Sequence, residues 1–404
     1  MADSREVFKH RADETLLGLK ETGQFKTLQV LEGPMDAVSP IRGYGDCVVF
    51  CSNNYLGLAN HPEVVRAGVE GVEQWGAGTA SVRFICGTFS PHETIERTIA
   101  EFFGVESAYT FVSCWNANEA ILPTLCEPQD LIISDELNHA SIIDAVRLAT
   151  TIKKGISKTV YKHNDLDQLE VKLKRAQDEI DGVVWVITDG VFSMEGDLAN
   201  LPGIRELCDK YGALLVVDDS HGTGVMGKTG RGTHEHFGMA GSDIDFITGT
   251  LGKALGGAAG GFVAGSKQGI ELLVQRGRPT LFSNALPVTV ACSANRAIEI
   301  LMDEPERVAR LRENVDYARA GIRKVGFDVL ESPTAICPII VHDTAKAIAM
   351  SRRLLEMGVF VIGFGYPVVP EGEARLRVQI SAAHEKEHLD KLIESLGRLK
   401  SEFD

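Results

Sequence analysis

Four stretches of the 404-residue sequence each place a chemically able side chain just after an apolar run. "DFITGTLGKALGGAAGGFVAG", residues 245–265, holds one lysine, Lys253, among Gly, Ala, Leu and Thr, with Thr248 and Thr250 just before it. "ALLVVDDSHG" supplies Asp218, Asp219, Ser220 and His221; "DLIISDELNHAS" supplies Asn138 and His139; "VVWVITDGVFSM" supplies Ser193 and Met194. An acid, two histidines, hydroxyls and one isolated amine match the needs of pyridoxal phosphate. That cofactor needs an amine for a Schiff base, and a lysine in apolar surroundings has a depressed pKa and becomes nucleophilic. It needs a carboxylate beside its ring nitrogen, a flat group on the ring, and hydroxyls and backbone amides for its phosphate. Lys253, Asp218, His139 and Thr250 would fill those roles. Each residue alone has a plainer reading: an acid after a strand caps a helix, a loop lysine is solvated, a lone histidine is structural. Their joint placement on successive strand ends argues for a site.

Those strand ends belong to a pattern. From about Asn60 to Leu286, apolar runs ("SAYTFVS", "DLIISD", "VVWVITDGVF", "ALLVVDDS", "IDFITG", "GGFVAG") alternate with helical stretches such as "NLPGIRELCDKYG". Consecutive apolar positions are expected of strands covered on both faces, and strand–helix alternation predicts a mostly parallel sheet wrapped by helices. In such α/β folds ligands gather at the carboxyl ends of strands. After Pro287 the sequence changes to long helical segments followed by short strands, "CPIIVHD", "VFVIGFGYP" and "LRVQIS". The expected organisation is an N-terminal arm over 1–45, a large domain over 46–286 and a smaller α+β domain over 287–404.

Composition narrows the function. Lys and Arg number 41 against 56 Asp and Glu, a formal charge of −15, with no basic stripe for a phosphate backbone, which argues against nucleic acid. No window approaches the ~18 apolar residues of a membrane span, and the charged N-terminus lacks the apolar stretch of a signal peptide. The eight cysteines follow no framework spacing. Cys47 and Cys51 have no second pair at metal-site distance, so reduced structural thiols, no metal and a cytoplasmic location are expected.

At these residues the sequence resembles the α-oxoamine synthases, fold-type-I pyridoxal-phosphate enzymes. The motifs run nearly end to end: "SNNYLGLANHP", "SVRFICGTFSPHETIE", "NHASIIDAVR", "TDGVFSMEGDLANL", "VDDSHGTGVMGKTGRG", "TGTLGKALGG", "RPTLFSNALP" and "ARLRVQISAAH". "SVRFICGT", "LFSNAL" and "FGYPVVP" resemble the glycine C-acetyltransferase branch. The resemblance implies Lys253 as the Schiff-base lysine, Asp218 at the ring nitrogen, His221 at the phenolic oxygen, His139 on the ring face and Ser193 near the oxygen side. It implies a phosphate loop at Cys114 and Trp115 aided by Thr250, with Phe282 and Ser283 also at the cofactor and Ser283 serving the neighbouring subunit. Asn53, Arg377 and His139 would meet the amino-acid substrate, leaving Arg375 structural or exposed. The implied partners are glycine, an acyl-CoA (acetyl-CoA first) and a second copy of the chain in a homodimer. One departure stands out: "CWNANEA", 114–120, where that branch is expected to carry "CFDANGG".

Overall fold

The computed structural model describes residues 3–366 and 368–403; Pro367 of "FGYPVVP" lies outside them. Its strands are β1 (Val38–Ile41), β2 (Gly45–Val49), β3 (Ser107–Phe111), β4 (Leu131–Asp135), β5 (Ser157–Tyr161), β6 (Val184–Asp189), β7 (Leu214–Asp218), β8 (Phe246–Thr250), β9 (Gly261–Gly265), β10 (Ile336–His342), β11 (Val359–Phe360), β12 (Ile362–Phe364) and β13 (Ala374–Gln379). Seven of them form the main sheet in the order β3-β9-β8-β7-β6-β4-β5. All pairs from β8 to β5 are parallel, and only β9 runs against its neighbours. The expected fold-type-I architecture, a mostly parallel sheet between helices, is the one observed.

Burial explains the apolar runs. Ile133, Val186, Ile187, Leu215 and Val216 are wholly covered, because helices lie on both faces of the sheet. Burying each such side chain stabilises the fold by about 1.5–3 kcal/mol relative to exposure. The helices are set by local signals. Ser113 accepts from Asn116 N to open Cys114–Leu125, and Asn200 caps Leu201–Tyr211, which closes on Gly212 in the left-handed region.

Strand register sets what the sheet presents at its carboxyl edge. Asp189, Asp218 and Thr248 are direct neighbours across β6, β7 and β8, so two acids and a hydroxyl stand in one row. Beside this row β9 brings Gly261 against the start of helix Cys114–Leu125, where a Cβ would run into the backbone of Cys114. Only glycine lets the helix start come that close.

The outer elements connect distant segments. β10, β13 and β12 make an antiparallel sheet, while β1 and β2 pair with each other and β2 runs parallel to β11. Helix Val288–Asp303 packs on Pro62–Trp75, with Thr289 donating to Gly68 O at 2.9 Å. Helix Ser4–Glu21 buries none of its residues against the chain. All eight cysteines are free thiols. No helix of the described residues is long and apolar enough to cross a membrane.

Candidate active site

Asp218 is the last residue of β7 and is buried. Its Oδ2 accepts from Asn118 Nδ2 at 2.6 Å and its Oδ1 from Ser220 N at 3.0 Å, while the Cys114 thiol lies 3.7 Å away. Burial, with the Asp218 charge beside it, pushes the Cys114 thiol far above its ordinary range, so it is a neutral neighbour rather than a nucleophile. The next residue along behaves differently. Asp219 turns away to accept from Thr233 N at 2.9 Å and Thr233 Oγ1 at 2.6 Å, and burial lifts it to about 7.

Lys253 follows β8 in the turn 251–260 and makes no ion pair or hydrogen bond to another described residue. Burial lowers its amine pKa; Asp218 and Cys114 pull the other way without restoring the ordinary value. The lysine is therefore poised to lose its proton more easily than a solvated one. Thr250 stands at the end of β8, its hydroxyl donating to Gly260 O at 3.1 Å and accepting from Gly252 N at 3.0 Å.

His139 caps helix Ala140–Ile152: its Nδ1 accepts from Ser141 N at 3.2 Å and lies 2.8 Å from Ser141 Oγ. Its backbone N–H donates to Asp189 at 2.9 Å, and Trp115 meets its ring edge-on at 6.0 Å. Burial depresses the His139 pKa. His221 is depressed further, by burial and then by the nearby Lys253 and Arg377. Its Nδ1 lies 2.9 Å from the Tyr55 hydroxyl, and that hydroxyl accepts from Gln379 Nε2 at 2.8 Å. The same Gln379 amide donates to Asn53 Oδ1 at 2.7 Å, which joins β13 to the "SNNY" turn.

Arg377 comes from β13 with its guanidinium buried. It touches Met194 Sδ at 3.9 Å and Phe364 at 5.6 Å to the ring centroid; its Nε has no hydrogen-bond partner, and no described carboxylate pairs with it. Arg375, two residues earlier, pairs with Glu195 at 3.2 Å and Glu373 at 3.0 Å and donates to Met194 O. Ser193 lies partly buried in the same loop. That loop is tied down by His163, which bridges Asp135 and Asp197 at 3.2 and 2.7 Å. Burial opposes the His163 charge, but the two carboxylates outweigh it and lift the group to about 10.

The structure thus brings Lys253, Asp218, His139, His221, Thr250, Cys114, Ser193, Asn53 and Arg377 to one end of the sheet. Cys114 and Trp115 open a helix rather than occupying a loop, because Ser113 supplies the cap. Trp115 stays 40% exposed, its indole N–H donating to Glu119 at 2.9 Å, so two of the residues by which "CWNANEA" departs hold each other. Phe282 is 72% exposed under the Arg278 guanidinium, and the Ser283 hydroxyl reaches only Asn284 O at 3.5 Å. Neither side chain hydrogen-bonds to a residue of the cluster, and Ser283 lines a small pocket with Asn116 of helix Cys114–Leu125. Sequence reading missed Asn118, Tyr55 and Gln379, although all three lie inside quoted motifs. Arg83 of "SVRFICGT" is taken up by Glu96 at 2.7 Å.

An amine whose pKa burial lowers, a buried acceptor, a histidine ring and a helix start beside a glycine are the donor set that pyridoxal phosphate requires, so the residues fit the group. The class I and II aminotransferase profile matches residues 45–396. An 8-amino-7-oxononanoate synthase of Alkaliphilus metalliredigens is 45% identical, covering 97% of each chain. The mitochondrial 2-amino-3-ketobutyrate coenzyme A ligase of Mus musculus is 44% identical over 96% of this chain and 92% of its own. Among solved structures, the serine palmitoyltransferase of Sphingomonas wittichii superposes with a TM-score of 0.91 at 30% identity, covering 100% of this chain and 99% of that one. Another solved serine palmitoyltransferase holds pyridoxal phosphate, at the same TM-score and 29% identity over 100% and 99% of the two chains. The chain belongs to the α-oxoamine synthases, pyridoxal-phosphate-dependent acyltransferases of fold type I.

Proposed function

We propose that the chain joins glycine to the acetyl group of acetyl-CoA, giving 2-amino-3-oxobutyrate and coenzyme A, a reversible reaction of threonine and glycine metabolism. Arg377 carries the amino-acid half of this reading. A buried guanidinium with no carboxylate of its own is a receptor for a carboxylate from outside. Asn53 completes that receptor. The choice of glycine and acetyl rests on "SVRFICGT" and "LFSNAL" and on relatives named as ketobutyrate ligases, such as that of Escherichia coli at 42% identity over 98% of each chain.

In this reading Lys253 would carry the cofactor, Asp218 would face its ring nitrogen, His221 its phenolic oxygen and Ser193 the same side. His139 would cover the ring and stand beside the substrate. The first N–H groups of helix Cys114–Leu125, with Thr250, would hold the phosphate. Ser283, with Phe282 beside it, serves the neighbouring copy in a homodimer. When bound, pyridoxal phosphate supplies a conjugated ring that accepts the electron pair left as the α-proton departs. Lys253 Nζ, made less basic by burial, takes that proton from glycine. Arg377 fixes the carboxylate so that the α-hydrogen faces Nζ, and the carbon then bonds to the acyl carbonyl as the thiolate leaves.

The second reading is a longer acyl-CoA or another small amino acid, as in 8-amino-7-oxononanoate synthase. Relatives of that name at 44–46% identity favour it. A matrix of amino acids against acyl-CoA chain lengths, with products identified by mass, separates the two. Fastest turnover of glycine with acetyl-CoA is expected; preference for a long dicarboxylic acyl-CoA would overturn the first reading.

A further inference from the structure

Asn118 is wholly buried in the first turns of helix Cys114–Leu125, and each of its contacts fixes which way its amide points. Asp218 Oδ2, at 2.6 Å from Asn118 Nδ2, belongs to a carboxylate that only accepts, so the NH2 group must face it. Thr248 Oγ1 then donates to Asn118 Oδ1 at 2.8 Å, from the residue beside Asp218 in the sheet. The second Nδ2 hydrogen goes to Ser141 Oγ at 2.9 Å. Ser141 Oγ, having accepted that bond, donates its own hydrogen to His139 Nδ1 at 2.8 Å. Nδ1 also receives Ser141 N–H, so it carries no proton, and the ring hydrogen sits on Nε2.

We propose that Asn118 is a positioning residue that acts on two members of the site at once, aiming the Asp218 carboxylate and, through Ser141, fixing His139 as a neutral ring with its proton on Nε2. The inference rests on the proposed cofactor roles of Asp218 and His139. An apolar side chain of the same size would fill the space yet leave Asp218 with Ser220 N and the weak Cys114 thiol, and Ser141 without a donor. The burial that depresses His139 acts in the same direction as the relay.

Asn118→Asp inverts the key contact and Asn118→Leu removes it. With Asp at 118, two carboxylates share one hydrogen-bond distance and can hold a single proton between them at low pH. The charged and titratable groups facing Asp218 are Cys114, Asp189, Asp219, Lys253 and His139, and Asp219, at about 7, titrates in wild type and variants alike. None of them is altered by the substitution. The measurement is the long-wavelength absorbance of the bound cofactor in the holoenzyme from pH 6 to pH 9, alongside the glycine-induced absorbance change. For Asn118→Asp the spectrum should lie close to wild type at pH 6 and change with a new transition as the shared proton is lost. The glycine response should fall by about tenfold or more across that transition. Asn118→Leu should show a shifted spectrum without the new transition. Should either variant fail to fold, Ser141→Ala keeps the test open, since it severs only the His139 branch and should weaken the glycine response while leaving the pH profile of the band unchanged. A wild-type holoenzyme with no glycine response would overturn the functional reading. A responsive wild type whose three variants match it in spectrum, pH profile and glycine response, differing only in thermal midpoint, would overturn the role of Asn118 alone.

Discussion

Arg375 and Arg377 leave β13 on the same face, two residues apart, and both touch Met194, yet their charges meet opposite fates. Arg375, 2% exposed, donates to two glutamates and two carbonyls. Arg377, 7% exposed, has a thioether, an aromatic face and the Tyr55 hydroxyl for company, no carboxylate, and one nitrogen with no partner. Asp218 and Asp219 repeat the contrast at the end of β7: one faces the cluster with Lys253, the other is fastened to Thr233. Burial is nearly equal within each pair, so burial does not separate their members. The arginines differ in ion pairing, and the acids, both hydrogen-bonded, differ in direction: Asp218 turns to Asn118, Cys114 and Lys253, and Asp219 to Thr233.

The sharpest break of this comparison is to neutralise each acid in turn. Asp218→Asn should lower turnover of glycine and acyl-CoA by about 100-fold or more, the scale for removing a charge aimed at developing charge in a closed site. Asp219→Asn should leave turnover within a few-fold of wild type in steady-state assays. Equal losses would mean that the carboxyl edge does not divide as described.

The arginines come next. Arg377→Lys keeps the charge and loses the planar fork, which should weaken glycine binding by about 10–150-fold, the equivalent of roughly 1.5–3 kcal/mol. The apparent affinity for acyl-CoA should move much less. Titrating glycine into the holoenzyme and following its absorbance checks both statements. Arg375→Met, by contrast, should act on stability, lowering it by about 1–3 kcal/mol in urea denaturation as the bonds to Glu195 and Glu373 are lost, with the glycine dissociation constant little changed.

These contrasts also show how far the sequence can be read. Lys253, Asp218, His139 and His221 could be located because each follows an apolar run, and strand ends are local features. "ARLR" could not by itself say which arginine is paired, because Glu195 reaches Arg375 across 180 positions and only the folded loop delivers it. Asn118 was hidden for the same reason: its meaning lies in Asp218, one hundred residues on, and in Thr248 beyond that. The reversed β9 was equally silent, since "GGFVAG" is as apolar as its parallel neighbours. Likewise "GDCVVF" declares a strand but not its partnership with Val359–Phe360. Local chemistry was legible, and long-range pairing was not.

The smallest expected effect concerns the structural acid. Burial raises the Asp219 carboxyl from 3.8 to about 7, with the Asp218 charge adding to the rise and the Thr233 and Thr223 bonds opposing it. A carboxyl raised in the fold makes its stabilising contribution when protonated, at low pH. That contribution drains away as pH climbs from about 4, where the unfolded chain ionises, to about 7, where the folded group does; above that it is constant. Other titrating groups have their own slopes, so the quantity to measure is the difference in unfolding free energy between wild type and Asp219→Asn. Between pH 6 and pH 8 that difference should move against wild type by at most about 1.4 kcal/mol, one pKa unit's worth, and then level off. Urea midpoints for the two proteins at pH 6, 7, 8 and 9 give the curve. A difference that stays flat over this range would mean Asp219 is ionised well below neutrality, held as an anion by Thr233 and Thr223. The contrast with Asp218 would then lie in geometry alone.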